Sequence, residues 1–378
     1  MRHLLTAVTL LVTGCAASDQ AEVEVDDWIF PADGKADGGG PARQPLVAAD
    51  AGLIDLRGLG DSAWSGNKTP TPLAPRFGAA LDRFDATGTS YRGDVSFINW
   101  ESTVGTRCDR FHDDSFGFLS DPGNITQLAD RGFQLIGLSN NHTRDCGDST
   151  SPTMTAAAMA SVSAGRPIAW HGVSAPGERV EPPRILTSTI KGREVRIAFA
   201  TLYLGRDTCP QATCKATREA VLSGLRDADA DLRVLAVHVL EFGTQWEGAA
   251  EVGADFIREY DGDVVYGHGP HVWKPPLVVE KRDGSGDKGV VFTSLGNFIH
   301  PSLRAQANNM IGRALFDPET LTLAQIQVIT VATAGGDASF GTTPASKVGS
   351  YGTQQIPWSD FTDEAGTRTV RGAFVNVP

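Results

Sequence analysis

Asp61, Glu101, Asn141 with His142 beside it, His238, and His268 with His271 all follow short apolar runs in this sequence. Carboxylates, an amide oxygen and imidazoles together make a donor set for a borderline divalent cation such as zinc, manganese or iron. A two-metal site needs this many ligands, because it must hold cations about 3.5–4 Å apart. Taken singly, each residue has a blander reading. Asp61 after Gly60 is ordinary turn chemistry, Glu101 could cap a loop, Asn140-Asn141 is a common turn pair, and His238 could be a satisfied core histidine. The case for a site rests on their order and on their shared placement at strand ends.

The elements that must carry them alternate between strands and helices. Leu53 to Leu59 reads as a strand ending at Gly60-Asp61, Val95 to Trp100 as one ending at Glu101, and Phe133 to Leu138 as one leading into Asn140-Asn141. Leu232 to Val237 ends at His238, and Val264 to Tyr266 ends at Gly267-His268. Between them, helices are expected over 124–131, stopped by Gly132, and over 149–164, with Ser151 as cap and Pro152 in the first turn. Two more are expected over 216–230 and 247–260. Arg184 to Ile190 and Glu194 to Leu202 flank Lys191-Gly192-Arg193 as a hairpin, another strand pair flanks the polar turn 282–289, and Leu321 to Thr333 is β-prone. The pattern predicts one α/β domain with a largely parallel central sheet and antiparallel strands at its edges. Ligands in such sheets bind outside the carboxyl ends of the strands, where these segments would converge.

Composition narrows the partners. The chain has 378 residues, 41% hydrophobic and 21% charged, with a net charge of −12, which excludes a fully disordered chain and disfavours binding to a nucleic-acid backbone. No apolar run reaches the roughly 20 residues that span a bilayer. Residues 1–15, MRHLLTAVTLLVTGC, carry an early Arg2, an apolar stretch and small residues before Cys15. They resemble a bacterial lipobox, so Cys15 is the expected lipidated N-terminus of an exported protein, ahead of an ordinary secretory signal. Residues 16–45 read as a flexible acidic tether, in which Trp28-Ile29-Phe30 is an incidental apolar island, 46–335 as the domain, and 336–378 as an extension packed on it. Four further cysteines in an oxidising compartment suggest two disulfides. Cys209 and Cys214 bracket a short loop and pair locally, leaving Cys108 with Cys146; a zinc site of all four lacks the paired CxxC spacing.

The segments GDVSFINWESTV (93–104), GLSNNHTRDCGDS (137–149), GHGPHVWKP (267–275) and FTSLGNFIH (292–300) resemble the CapA family of capsule or poly-γ-glutamate synthesis proteins. GLGDSAW (58–64) and HGVSAPG (171–177) add weaker matches. The resemblance covers about residues 50–300. It implies a four-layer α/β/β/α sandwich of the calcineurin-like metallophosphatase type. It makes Asp61, Glu101, Asn141, His238, His268 and His271 the metal ligands, His142 the general acid, and Asp145 the group that orients it. Two cations there would activate water.

The sequence departs from that pattern in two places. A metallophosphatase opens with Asp-x-His, whereas Asp61 is followed by Ser62 and Ala63, a feature of the wider CapA family. The segment HVLEFGTQW (238–246) replaces the usual His-Trp-Gly-x-Glu, with Glu241 displaced and Gly243 shifted. Arg144 and Lys274 could meet an anionic substrate, and Trp100, Trp246 and Trp273 are core or rim residues, with polymer stacking a minor option.

The resulting expectation is an exported, lipid-anchored metal-dependent hydrolase acting on a phosphoester, or less readily an amide, in envelope polymer synthesis. Its partners are an anionic polymer, the membrane through the lipid anchor and a membrane synthase complex, and no nucleic acid. The alternatives are a non-catalytic polymer-binding accessory and a small-molecule metallophosphoesterase.

Overall fold

A computed structural model describes residues 52–112, 116–239, 246–274, 276–302, 306–340, 362–364 and 367–371. The leader with Cys15, the tether 16–45, and Glu241 and Gly243 lie outside the described residues.

The apolar runs form strands, and most are buried from end to end. Ile54–Ser62 and Val95–Trp100 have no exposed position. A strand covered on both faces needs no alternation of polar and apolar residues, which is why these runs look continuous in sequence. Apart from the short pair Thr103–Val104 and Leu119–Ser120, the parallel strands among the described residues divide between two sheets, rather than joining in the one central sheet expected from the alternation. In the first, Ile54–Ser62, Val95–Trp100, Phe133–Gly137 and Ala169–His171 run parallel. Gln306–Phe316 then lies antiparallel against Ile54–Ser62, followed by Leu323–Ala334. Asp337–Phe340 and Thr367–Arg371 both pair with Leu323–Ala334, and Thr362–Glu364 pairs with Thr367–Arg371, so the C-terminal strands continue this sheet. In the second, Arg193–Tyr203, Leu232–His238, Val264–His268 and Lys288–Phe292 run parallel between antiparallel edges Arg184–Ile190 and Leu277–Glu280.

Three apolar clusters hold these elements. One contains side chains of both sheets, among them Phe97, Phe199, Tyr266 and Phe292, with Phe97 and Tyr266 stacked at 5.0 Å. A second joins the first sheet to the helices Phe77–Phe84, Pro122–Asp130 and Thr150–Ser163 through Leu81, Leu128 and Met159. The third joins the second sheet to the helices Arg218–Asp227 and Trp246–Glu259 through Leu222, Leu225, Phe256 and Ile257. Trp100 is wholly buried, edge-on to Phe77 at 5.0 Å, and Trp273 is buried as well, so neither offers a stacking face. The side chain of Trp246 lies outside the described residues. No helix among the described residues is long and apolar enough to cross a membrane.

Two thiol expectations have different outcomes. Cys108 and Cys146 form a disulfide across 38 residues, a loop whose closure constrains the unfolded chain by about 4 kcal/mol. Cys209 and Cys214 are not joined, which corrects the second expected bridge. Cys214 instead caps the 3-10 turn Lys215–Thr217, and its sulfur donates to the carbonyl of Asp207 at 3.6 Å. Burial and the neighbouring Cys214 push the Cys209 thiol up to about 12, so it stays protonated.

His171 ends its strand with Nδ1 accepting from the Thr201 amide at 2.9 Å, a bond that only the neutral ring can accept. Burial first, and the charge of Arg184 second, push its pKa down from 6.5 to about 4. A base depressed by folding contributes stability above its unfolded pKa and loses it as pH falls. Stability should therefore decline by about 3 kcal/mol between pH 6.5 and about 4, at 1.36 kcal/mol per unit. Denaturant unfolding of wild type and His171→Gln across that window checks this: the variant should lose that part of the slope, and an unchanged slope would contradict the assignment.

Candidate metal centre

The two sheets bring their strand ends to one place, and Asp61 sits at its middle. The pairing of Ile54–Ser62 with Val95–Trp100 shifts register between Leu59 and Asp61, a bulge that re-aims the carboxylate. Gly60 makes this possible. A Cβ there would lie 2.2 Å from the Gly296 carbonyl, whose oxygen accepts from the Asp61 amide at 2.8 Å. Phe298 N donates in turn to the Asp61 carbonyl at 2.9 Å, so the SLGNF segment runs beside the aspartate as a short parallel bridge.

The Asp61 side chain is fully buried. Asn99 Nδ2 donates to Oδ1 at 2.7 Å and Gly269 N donates to Oδ2 at 3.2 Å. His268 Nδ1 stands 2.9 Å from Oδ1, close enough for an ion pair. His271 Nδ1 is 3.4 Å from Oδ2 and His238 Nδ1 is 3.8 Å from Oδ1. Burial would raise this carboxyl, but the imidazoles of His268, His271 and His238 hold it well below the usual carboxylate range. Asp61 is therefore an anion in the interior.

Glu101, equally buried, directly follows Val95–Trp100, and its Oε1 is 3.8 Å from His238 Nε2. His238 and His268 are the last residues of neighbouring parallel strands and pair in register. Gly269, at φ +112, then turns the chain where a Cβ would lie 2.1 Å from the Val239 carbonyl. His271 takes a left-handed φ of 56°, unusual outside glycine, and Asn297 Oδ1 fixes its Nδ1 at 2.7 Å.

Asp61, Glu101 and His271 each offer a donor atom within 4.8 Å of the others. Buried carboxylates and imidazoles that face one another fit a divalent cation, and Nε2 of His268 is buried without a hydrogen-bond partner among the described residues. The described residues thus gather Asp61, Glu101, His238, His268 and His271.

Asn141 opens the 3-10 turn Asn141–Arg144, capped by Asn140, whose Nδ2 donates to the Trp100 carbonyl at 3.0 Å. In the same turn, His142 Nδ1 meets Asp145 Oδ2 at 2.8 Å, and Phe118 N donates to that oxygen at 2.5 Å. The Cys108–Cys146 bridge pins the residue next to Asp145. An ionised Asp145 accepts only, so the ring proton sits on Nδ1 and leaves Nε2 to exchange a proton.

Sequence reasoning passed over Asn99, Asn297 and His300. Asn297 and His300 lie in a segment whose motif was visible, but only the fold shows that it lies alongside Asp61. His300 is 2% exposed, and burial, with the charges of His142 and His271, pushes it down to about 3.

Residues 72–302, more than half of the chain, match the bacterial capsule synthesis protein family PGA_cap. The chain belongs to that family. No curated protein matches it. Among solved structures, a hypothetical protein from Thermus thermophilus is 14% identical at a TM-score of 0.38, over 75% of this chain and 96% of that one. A protein provisionally named a 5'-nucleotidase, from Staphylococcus aureus and solved in complex with alpha-ketoglutarate, is 11% identical at 0.36. That match spans 79% of this family member and 56% of the other chain. Likeness at that level carries no argument about chemistry.

Asn297 holds His271, and loss of such an outer partner costs a metal site roughly 10–100-fold in affinity. Asn297→Ala should weaken manganese or zinc binding by about that factor in a chelator-competition titration. Undiminished affinity would show that His271 needs no such support.

Proposed function

We propose that this capsule-synthesis-family protein is an exported, lipid-anchored hydrolase of the metallophosphatase type. Its two sheets would be packed between helical layers in an α/β/β/α order. The observation that carries the reading is the buried Asp61 carboxylate, ringed by His238, His268 and His271 with Glu101 beside them. These residues and Asn141 would hold one or two divalent cations, manganese, zinc or iron. Bound there, the cations would polarise a phosphoryl oxygen and lower the pKa of water towards about 7.

The chain's own residues supply the rest. Asp145 fixes the His142 tautomer, so His142 Nε2 can deliver a proton to a leaving oxygen. Arg144 is buried in the same turn. Its Nη2 pairs with Asp148, while Nε and Nη1 meet no hydrogen-bond partner among the described residues, donors suited to an anionic group of the substrate. The substrate class is a phosphoester of an anionic envelope polymer, with an amide as the lesser option. Lipidation at Cys15 would tether the domain at the envelope beside a membrane synthase. A non-catalytic polymer-binding role is favoured by one feature, Ala63 two residues after Asp61, where an alanine gives a cation no donor. A small-molecule phosphoesterase would use the same site.

Elemental analysis of the purified protein, followed by turnover of a generic phosphodiester, tests the reading. Wild type should carry manganese, zinc or iron. His142→Asn should keep its metal and lose about 100- to 10,000-fold in kcat. Metal-free protein that stays so after manganese or zinc is added would overturn the metal centre. Metal-loaded protein indifferent to His142 would favour the binding role.

A further inference from the structure

The residue best placed to extend this centre is His300. Neither of its ring nitrogens meets a hydrogen-bond partner among the described residues, although the side chain is 2% exposed. A histidine kept for packing alone leaves two polar atoms stripped of water with nothing in return, a penalty that a leucine of similar size avoids. Its surroundings give it a purpose. The ring lies in the field of Asp61, His142 and His271. It packs edge-on against Phe118 at 4.6 Å, the same ring that His142 meets at 4.3 Å.

The backbone fixes where it enters. Phe298 N donates to the Asp61 carbonyl, and the Ile299 carbonyl accepts from Ala63 N at 3.0 Å. His300 therefore follows a segment clamped along Asp61–Ala63, beside the position where alanine offers a cation no donor atom.

We propose that His300 is a further ligand of the cation centre, bringing an imidazole from the end of the SLGNFIH segment to the side left without one by Ala63. The inference rests on the metal-centre reading above. It deepens that reading by giving the site a nitrogen donor from a separate stretch of chain.

The test uses the full-length protein, titrated with manganese and with zinc against a competing chelator, with stoichiometry from elemental analysis. His300→Leu keeps an apolar side chain of similar size, and His300→Ala removes it. Both should lose one class of bound metal or bind it about 10–100-fold more weakly. Without metal, His300→Leu should melt no lower than wild type, since leucine avoids the cost of burying two unpaired ring nitrogens. Should either variant fail to fold, cobalt-loaded wild type gives a readout without substitution: the ring protons of His300 should be contact-shifted together with those of His238, His268 and His271. Metal binding by His300→Leu equal to that of wild type, or an unshifted His300, overturns the assignment of His300 alone. A wild type that binds no metal overturns the centre itself.

Discussion

A carboxylate sealed from water is the constraint around which this domain is arranged. An isolated buried anion costs several kcal/mol unless other groups compensate it. Asp61 receives that compensation from both sheets. Asn99 comes from the neighbouring strand of its own sheet, and His238 and His268 from the ends of two strands of the other. The Gly269 amide and His271 follow from the turn beyond. The nearest of these partners in sequence, Asn99, is 38 residues from Asp61, so the aspartate can be buried as an anion only once both sheets have assembled. With their rings neutral, His238, His268 and His271 would hold a cation beside Asp61, whose positive charge would then supply the compensation.

Glycine spacing makes the arrangement possible. Gly60 lets the first strand bulge and press against Gly296, which carries Asn297 to His271 and Ile299 to Ala63. Gly269 turns the chain tightly past Val239, so that His268 and His271 address opposite oxygens of one carboxylate. On the other flank, the disulfide between Cys108 and Cys146 holds the short turn in which Asp145 aims His142. The His142–Asp145 pair thus stands on a covalently clamped loop, while Asp61, His238 and His268 stand at strand ends.

Much of this was legible in the sequence, because strands buried on both faces are continuous apolar runs and the ligand-type residues fall just past them. The helix expected over 149–164 forms as Thr150–Ser163, with Pro152 in its first turn. Other elements escaped for physical reasons. Gln306–Phe316 contains Asn309 and Arg313, polar residues that look exposed in sequence. They are buried because Arg313 pairs with Asp55, 258 residues away, and Asn309 Oδ1 accepts from Asn297 N. Phe77–Phe84 follows a proline-rich stretch and has no side-chain cap to announce it. Spacing placed Cys209 near Cys214, but spacing cannot reveal that the sulfur of Cys214 donates to the carbonyl of Asp207. His300 had no signal of its own, since a lone histidine after two apolar residues resembles any core histidine until its neighbours are known.

The most direct test of the central claim is anomalous diffraction from crystals of this protein grown with manganese, recorded on both sides of the manganese edge. Strong anomalous density should appear enclosed by Asp61, Glu101, His238 and His271. Density confined to surface carboxylates, or absent from that cluster, would contradict it.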